Sequence, residues 1–341
     1  MTSPRITVAL SVYDNAAYLS AALDSILAQS FGDFELLAVN DGSTDGSAAI
    51  LDDYAARDSR VRVIHQANQG LIPSLNRIVE AARAPYIARM DGDDIALPER
   101  FARQVAFLDA HPDHGVVGTQ IRGITPTGAL RQDHVVDHPV DFDRIVEALA
   151  SDRPGSPLCH PSVMMRRDLV RAVGGYRAAY RHCEDYDLWL RLAERTRMAN
   201  LSERLMLYRY SDTQVSHRHV LSQNYGAAIA RLARTERLAG RVDPSENWQT
   251  LPPVDALDQA FGREGPAAQV RAAVTRGILY APDALAGEGL PLIVAHLEDA
   301  RRTGEPPVPG LGRAVARLLR HHRPHGAWHL ARALLRHRSG R

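Results

Sequence analysis

Lysine is absent from this chain: all 41 basic residues among its 341 are arginine. That absence excludes Schiff-base chemistry and a P-loop lysine over a triphosphate. Cysteine is nearly absent as well. Cys159 and Cys183 are too few for a disulfide scaffold and too far apart for a metal knuckle, so they imply a reducing compartment and read as small buried apolar residues. No apolar run approaches the length that crosses a bilayer, and the one leading up to Tyr13 is stopped by Asp14 and Asn15, which is not a signal-peptide pattern. Net charge is scarce too, at +1, leaving no overall field to draw nucleic acid. With 45% hydrophobic and 24% charged residues, the composition is that of a soluble globular protein, cytoplasmic unless something tethers it.

What is present concentrates in Tyr86-Ile87-Ala88-Arg89-Met90-Asp91-Gly92-Asp93-Asp94, where a β-prone run ends in three carboxylates around one glycine. Like charges gathered this way are unfavourable unless a cation joins them. In extended chain, residues i and i+2 point the same way, so Asp91 and Asp93 can converge while Gly92 admits a ligand close to the backbone. Two hard oxygen donors so placed suit Mg²⁺ or Mn²⁺, ions that keep several waters and borrow ligands from a substrate's phosphates. Asp94 reads as a turn or cap residue rather than a ligand.

The surrounding pattern is α/β. Apolar, β-branched runs at 6–13, 34–40, 61–65 and 86–90 alternate with helical spacing at 16–29, 48–56 and 71–82, which predicts right-handed crossovers and a mostly parallel sheet. In such sheets ligands bind beyond the carboxyl ends of the strands. Three polar loops fall there: Tyr13-Asp14-Asn15, Asn40-Asp41-Gly42 and Asp91-Gly92-Asp93. Further on, the spacing predicts a helix over 98–110, β segments at 115–121 and 128–136, a helix over 141–150, strand-like 162–166, a short helix over 168–173, a strand at 205–210 and a helix over 222–239. Pro, Asn and Asp between 240 and 253 mark a domain boundary, and the rest is Ala- and Leu-rich, a helical appendage. The division expected is a catalytic domain over 1–220 and a helical C-terminal region over 221–341.

A second acidic site lies in Cys183-Glu184-Asp185-Tyr186-Asp187-Leu188-Trp189. Asp187 can cap a helix and pair with Arg191 four residues on, whereas Glu184 and Asp185 precede the helix with no such duty. Two acidic sites suit transfer from a nucleotide-sugar donor. A divalent ion at Asp91 and Asp93 stabilises the departing diphosphate, and a carboxylate at Glu184 or Asp185 takes the proton of an attacking hydroxyl. Direct displacement of this kind inverts the anomeric centre. Asp41, as an acceptor-only carboxylate, suits the ring N–H of uracil or thymine, and Tyr13 could stack on the same ring, with Val12 beside it in the donor site. His160 and Trp189 read as structural residues.

Four stretches in order, VALSVYDNAAYLSAALDSILAQSFGDFELLAVNDGSTD from Val8, YIARMDGDDIALPER, CHPSVMMRR and EDYDLWLRL, resemble the family 2 glycosyltransferases of GT-A fold, over roughly residues 6 to 216. The resemblance implies a Rossmann-like mixed sheet flanked by helices. It also implies that Asp41 reads the nucleobase, that Asp91 lies near ribose and metal as the first acid of a DxD motif, that Asp93 binds the metal, and that Asp185 is the catalytic base with Glu184 in reserve. Ser11 and Asp14 depart from the common Pro and Asn without touching the chemistry. Where many members carry a histidine after the last core strand, this chain has Ser211, with His217 and His219 further on, so the third protein ligand to the metal stays unassigned.

The end of the chain, 311–341, holds eight Arg, five His and no acid, with apolar residues on one helical face. Two readings stand side by side: a helix pair packed on its own domain, or a basic amphipathic surface on the inner membrane face. The expected reaction is glycosyl transfer in polysaccharide or glycoconjugate synthesis, from a UDP- or dTDP-sugar to a glycan, lipid-linked or small-molecule acceptor, with no nucleic acid involved. One rival is a sugar nucleotidyltransferase, which wants a Gly-rich N-terminal loop this chain lacks. The other is a catalytically silent, membrane-associated nucleotide-binding protein, against which the intact Asp185 argues.

Overall fold

Ile6–Val12 forms strand β1 because a seven-residue run of mostly apolar, β-branched side chains can be buried on both faces of a parallel sheet. It pairs in parallel with β2 (Phe34–Asp41) on one side and β4 (Tyr86–Asp91) on the other, and β3 (Val61–Gln66) lies beyond β2. Four more strands, β5 (Ile95–Ala96), β6 (His114–Ile124), β7 (Met164–Arg166) and β8 (Arg197–Arg209), complete an eight-stranded mixed sheet of order β3-β2-β1-β4-β7-β6-β8-β5. Strand β7 runs antiparallel to both β4 and β6, so the sheet changes direction next to the acidic strand.

This is a computed structural model describing residues 3–133, 136–152, 155–210, 219–279 and 281–339. The chain divides into two compact units, Met1–Leu149, Ser156–Ala178 and Glu184–Asp212 in the first, and Ala150–Gly155, Ala179–Cys183 and Thr213–Arg341 in the second.

In the first unit, helices α1 (Ala16–Leu27), α2 (Ser47–Arg57) and α3 (Leu71–Ala81) link the parallel strands, and α4 (Arg100–Ala110) follows β5. Leu19, Ala22, Leu23 and Ile26 of α1 recur at helical spacing and are buried against the sheet. Each such leucine or isoleucine contributes about 1.5–3 kcal/mol. Helices α5 (Phe142–Ala150), α6 (Arg167–Ala172) and α7 (Glu184–Leu192) follow. Buried Arg100 ties strands together: Nη2 donates to Arg89 O at 2.7 Å and Nε to Gln104 Oε1 at 3.1 Å, while burial draws its pKa down to about 10.

The second unit is helical: α8 (Val220–Leu238), α9 (Pro266–Ile278), α10 (Gly289–Thr303), α11 (Leu311–Arg320) and α12 (Pro324–Ser339), with short turns between. No helix among the described residues is long and apolar enough to cross a membrane.

Four expectations need correcting. The segment after the Thr125–Gly128 turn forms a single bridge from Ile124 to Leu130 rather than a strand among its described residues. Strand β8 begins at Arg197, because its polar first half pairs with β6. Glu184 and Asp185 are the first residues of α7 and so lie at the positive end of its dipole rather than ahead of it. Cys183 is buried but Cys159 is only partly so, and neither forms a disulfide.

Candidate active site

The ends of the parallel strands fall in register. Val12 pairs with Asn40, Asp41 with Gln66 and Ser11 with Asp91, which brings the three polar loops to one edge of the sheet. The first two loops are stitched together: Thr44 N donates to Asp14 Oδ1 at 2.7 Å, and Ala16 N to Asp45 Oδ2 at 2.9 Å. Asp14 adopts φ +50°, a left-handed conformation that this short polar residue tolerates. Gly42, at φ +73°, lets the loop before α3 pass so close that a Cβ there would meet the Asn68 backbone N at 2.7 Å.

Asp41 is 2% exposed and spoken for. Its Oδ1 accepts from Gln66 Nε2 at 2.7 Å and Gln69 N at 2.9 Å, and Oδ2 from Gly70 N at 2.7 Å. Of the roughly four acceptor positions of an ionised carboxylate, one is left. Val12 has its side chain in the core, so only its backbone can face a ligand, whereas Tyr13 is half exposed.

Asp91 ends β4, Gly92 and Asp93 form a turn, and Asp94 leads into β5. Among the described residues these three aspartates are the group whose ligand oxygens all lie within 4.8 Å of one another. Asp94, read from sequence as a turn residue, is 1% exposed and does clamp the turn: its Oδ1 accepts from Arg209 N at 2.8 Å, while Arg209 Nε donates to Asp93 O at 2.7 Å. Its Oδ2 is buried without a hydrogen-bond partner. Burial and the charge of Asp91 push the Asp93 carboxyl up to about 6, and burial with Asp93 and Asp91 drives Asp94 well above the usual carboxylate range. Hard oxygens, crowded negative charge and an orphaned buried oxygen are what a divalent cation would relieve, so these residues fit Mn²⁺ or Mg²⁺.

Beneath Asp91 on the same strand face lies Arg89, 1% exposed, with Nη2 donating to Asp91 Oδ1 at 2.6 Å and Nη1 to the Met90 carbonyl. Asp185, in the first turn of α7, accepts from Tyr186 N at 2.8 Å through Oδ1. Burial pushes its carboxyl up to about 6; the Tyr186 N–H and Arg89 pull against that shift, and Asp91 adds to it. The two acidic sites, distant in sequence, thus act on one another. Glu184 is 8% exposed beside it.

His160 Nε2 and the Tyr176 hydroxyl lie 2.9 Å apart, and burial, then Arg89, hold the imidazole well below its usual range and hence neutral. Trp189 is fully buried, its ring edge-on to His160 with centroids 5.9 Å apart, which makes it core rather than a sugar platform. His219 stacks on His182 at 3.8 Å, and Ser211 and His217 lie outside the described residues. Arg89, Arg209 and Tyr176 went unread in the sequence. The signal for both arginines was one charge inside an apolar β run, Tyr86–Asp91 and Leu205 to Tyr210.

Residues 7–174 match the family described as Glycosyl transferase family 2. The chain is 36% identical over 245 residues to EpsE of Bacillus subtilis (strain 168), a protein carrying the glycosyltransferase name, an alignment covering 70% of this chain and 84% of that one. It is 33% identical over 208 residues to the O-antigen biosynthesis glycosyltransferase WbnJ of Escherichia coli, covering 60% and 79% of the two chains. Residues 1–349 of S. aureus TarS, solved in complex with UDP-GlcNAc, superpose with a TM-score of 0.60 at 14% identity, over 98% of this chain and 90% of that one. That last likeness is one of fold.

Proposed function

The chain belongs to glycosyl transferase family 2, and from that premise we propose an inverting, metal-dependent enzyme that moves a sugar from a nucleotide-diphosphate donor to an acceptor hydroxyl. The observation that carries this reading is the convergence of Asp91, Asp93 and Asp94 within 4.8 Å at the strand ends, with Asp185 in the electrostatic field of Asp91. Asp93 and Asp91 would hold Mn²⁺ or Mg²⁺, with Asp94 Oδ2 as a further oxygen. When bound, such an ion supplies positive charge against the departing diphosphate.

Asp185 accepts the proton of the acceptor hydroxyl as it attacks the face opposite the leaving group, which inverts the anomeric centre. Glu184 is its reserve. Asp41 anchors the loop before α3 and takes a pyrimidine N–H with its remaining lone pair, while Tyr13 stacks on the base and Val12 offers backbone contacts. A UDP- or dTDP-sugar is the donor we favour, and the UDP-GlcNAc held by TarS supports that class. The O-antigen role in WbnJ's name supports a growing glycan or lipid-linked acceptor in polysaccharide synthesis. Two cysteines outside any disulfide support a cytoplasmic setting.

A thermal-shift screen of UDP-, dTDP- and GDP-sugars, each with Mn²⁺ or with a chelator, tests the reading. The expected result is a shift for a UDP- or dTDP-sugar that needs Mn²⁺, accompanied by slow donor hydrolysis. No shift with any sugar nucleotide and no hydrolysis would overturn it.

A further inference from the structure

Within the second unit, α11 and α12 bury Leu311, Ala314, Leu318, Ala327 and Leu330, so the pair is already packed through one face. Three large apolar side chains are left outside: Leu319 and Trp328, each 55% exposed, and Leu335, 65% exposed. On α12, Trp328, Arg332, Leu335 and Arg336 recur at intervals of 4, 7 and 8 residues from the first, which puts them on one stripe of the helix. The Arg332 guanidinium sits 5.2 Å from the Trp328 ring centroid. From Leu311 onward the chain has eight Arg, five His and no acid.

We propose that this stripe docks on an anionic lipid surface, with Trp328 and Leu335 entering the headgroup boundary and Arg332 and its neighbours meeting headgroup phosphates. A Trp with one amphipathic ring and arginines with long apolar stems are the side chains such a boundary accommodates. Charge decides the occupant. A second copy of the same patch would oppose cation to cation in a two-fold interface, whereas an anionic membrane complements the Arg332 charge beside the exposed Trp328. The inference does not depend on the transfer chemistry.

The test is co-sedimentation of the full chain with vesicles of phosphatidylcholine alone and of phosphatidylcholine with about one-third phosphatidylglycerol, across a salt series. Binding should be at least about tenfold tighter to the anionic vesicles and weaken with salt. Arg332→Glu, a change of two charges, should weaken it about twentyfold, and Trp328→Ala with Leu335→Ser several-fold. These are surface positions, so the far-UV spectrum and Mn²⁺-dependent donor hydrolysis should stay unchanged. Equal binding to both vesicles, no binding, insensitivity to Arg332→Glu, or tighter binding to duplex DNA than to the vesicles would each overturn the proposal. A chain that binds anionic vesicles yet turns over no donor supports it and counts against the transfer reading instead.

Discussion

Arg89 Nη2 donates to Asp91 Oδ1 at 2.6 Å from a position two residues back on the same strand, and the cation is buried while about a third of the carboxylate side chain meets solvent. One Asp91 oxygen is thereby committed to the protein, and the proposed reading gives the metal the other. Arg89→Met should raise the Kd for donor with Mn²⁺ about tenfold by releasing Asp91 from its orientation. Arg89→Lys should recover only part of that, because one ammonium cannot reproduce the fork that holds both Met90 O and Asp91. Titration calorimetry on the two variants checks this, and wild-type affinity in a folded Arg89→Met protein would remove Arg89 from the role.

If Asp185 is the base, as proposed, it sets the pH dependence. A base must be ionised to accept a proton, and burial pushes this carboxyl up to about 6. Activity should therefore be low below pH 5, rise through about pH 6 and level off by pH 7 to 8, as kcat/KM profiles at saturating Mn²⁺ would report. Asp185→Asn should lower kcat by about 10²–10⁴ and leave donor affinity within about twofold. A variant retaining turnover would vacate the assignment.

The sequence carried the frame of this site more clearly than its supports. Alternating apolar runs and helical spacing are local signals, so β1 to β4, their crossovers and the loop at Asp41 could be read directly. The acids of α7 could be singled out too, since nothing nearby required them. The supports are contacts between distant residues, such as Arg209 with Asp93 and Asp94, more than a hundred positions apart. Strand β8 shows only its second half in the sequence for a similar reason. Its first half, Arg-Met-Ala-Asn-Leu-Ser-Glu, has too little hydrophobic pattern alone and is held by pairing with β6.

Asp94 separates a clamp from a ligand. Asn at this position keeps an oxygen for Arg209 N and removes the second oxygen, whose ionisation burial, Asp93 and Asp91 oppose. Asp94→Asn should therefore leave the melting temperature without metal unchanged or higher, and raise the Mn²⁺ Kd about tenfold. Unaltered Mn²⁺ affinity would leave Asp94 as a clamp alone.

Gly42 tests whether the donor site depends on the loop that Asp41 holds. Its φ of +73° is strained for any residue with a Cβ, and that atom would sit 2.7 Å from the Asn68 backbone N, which cannot swing aside as a side chain can. Gly42→Ala should cost about 1–3 kcal/mol, seen as a melting temperature lower by about 3–8 °C. Because Asn68 adjoins Gln69 and Gly70, whose N–H groups bind Asp41, the same shift should loosen the carboxylate and weaken nucleotide binding. Calorimetry with UDP should give a Kd raised about fivefold or more, while Gly304→Ala, also left-handed at φ +74° but with open space around its Cβ, should lower the melting temperature without moving that Kd. If both variants bind UDP as the parent does, the loop is scaffold and the base is read elsewhere.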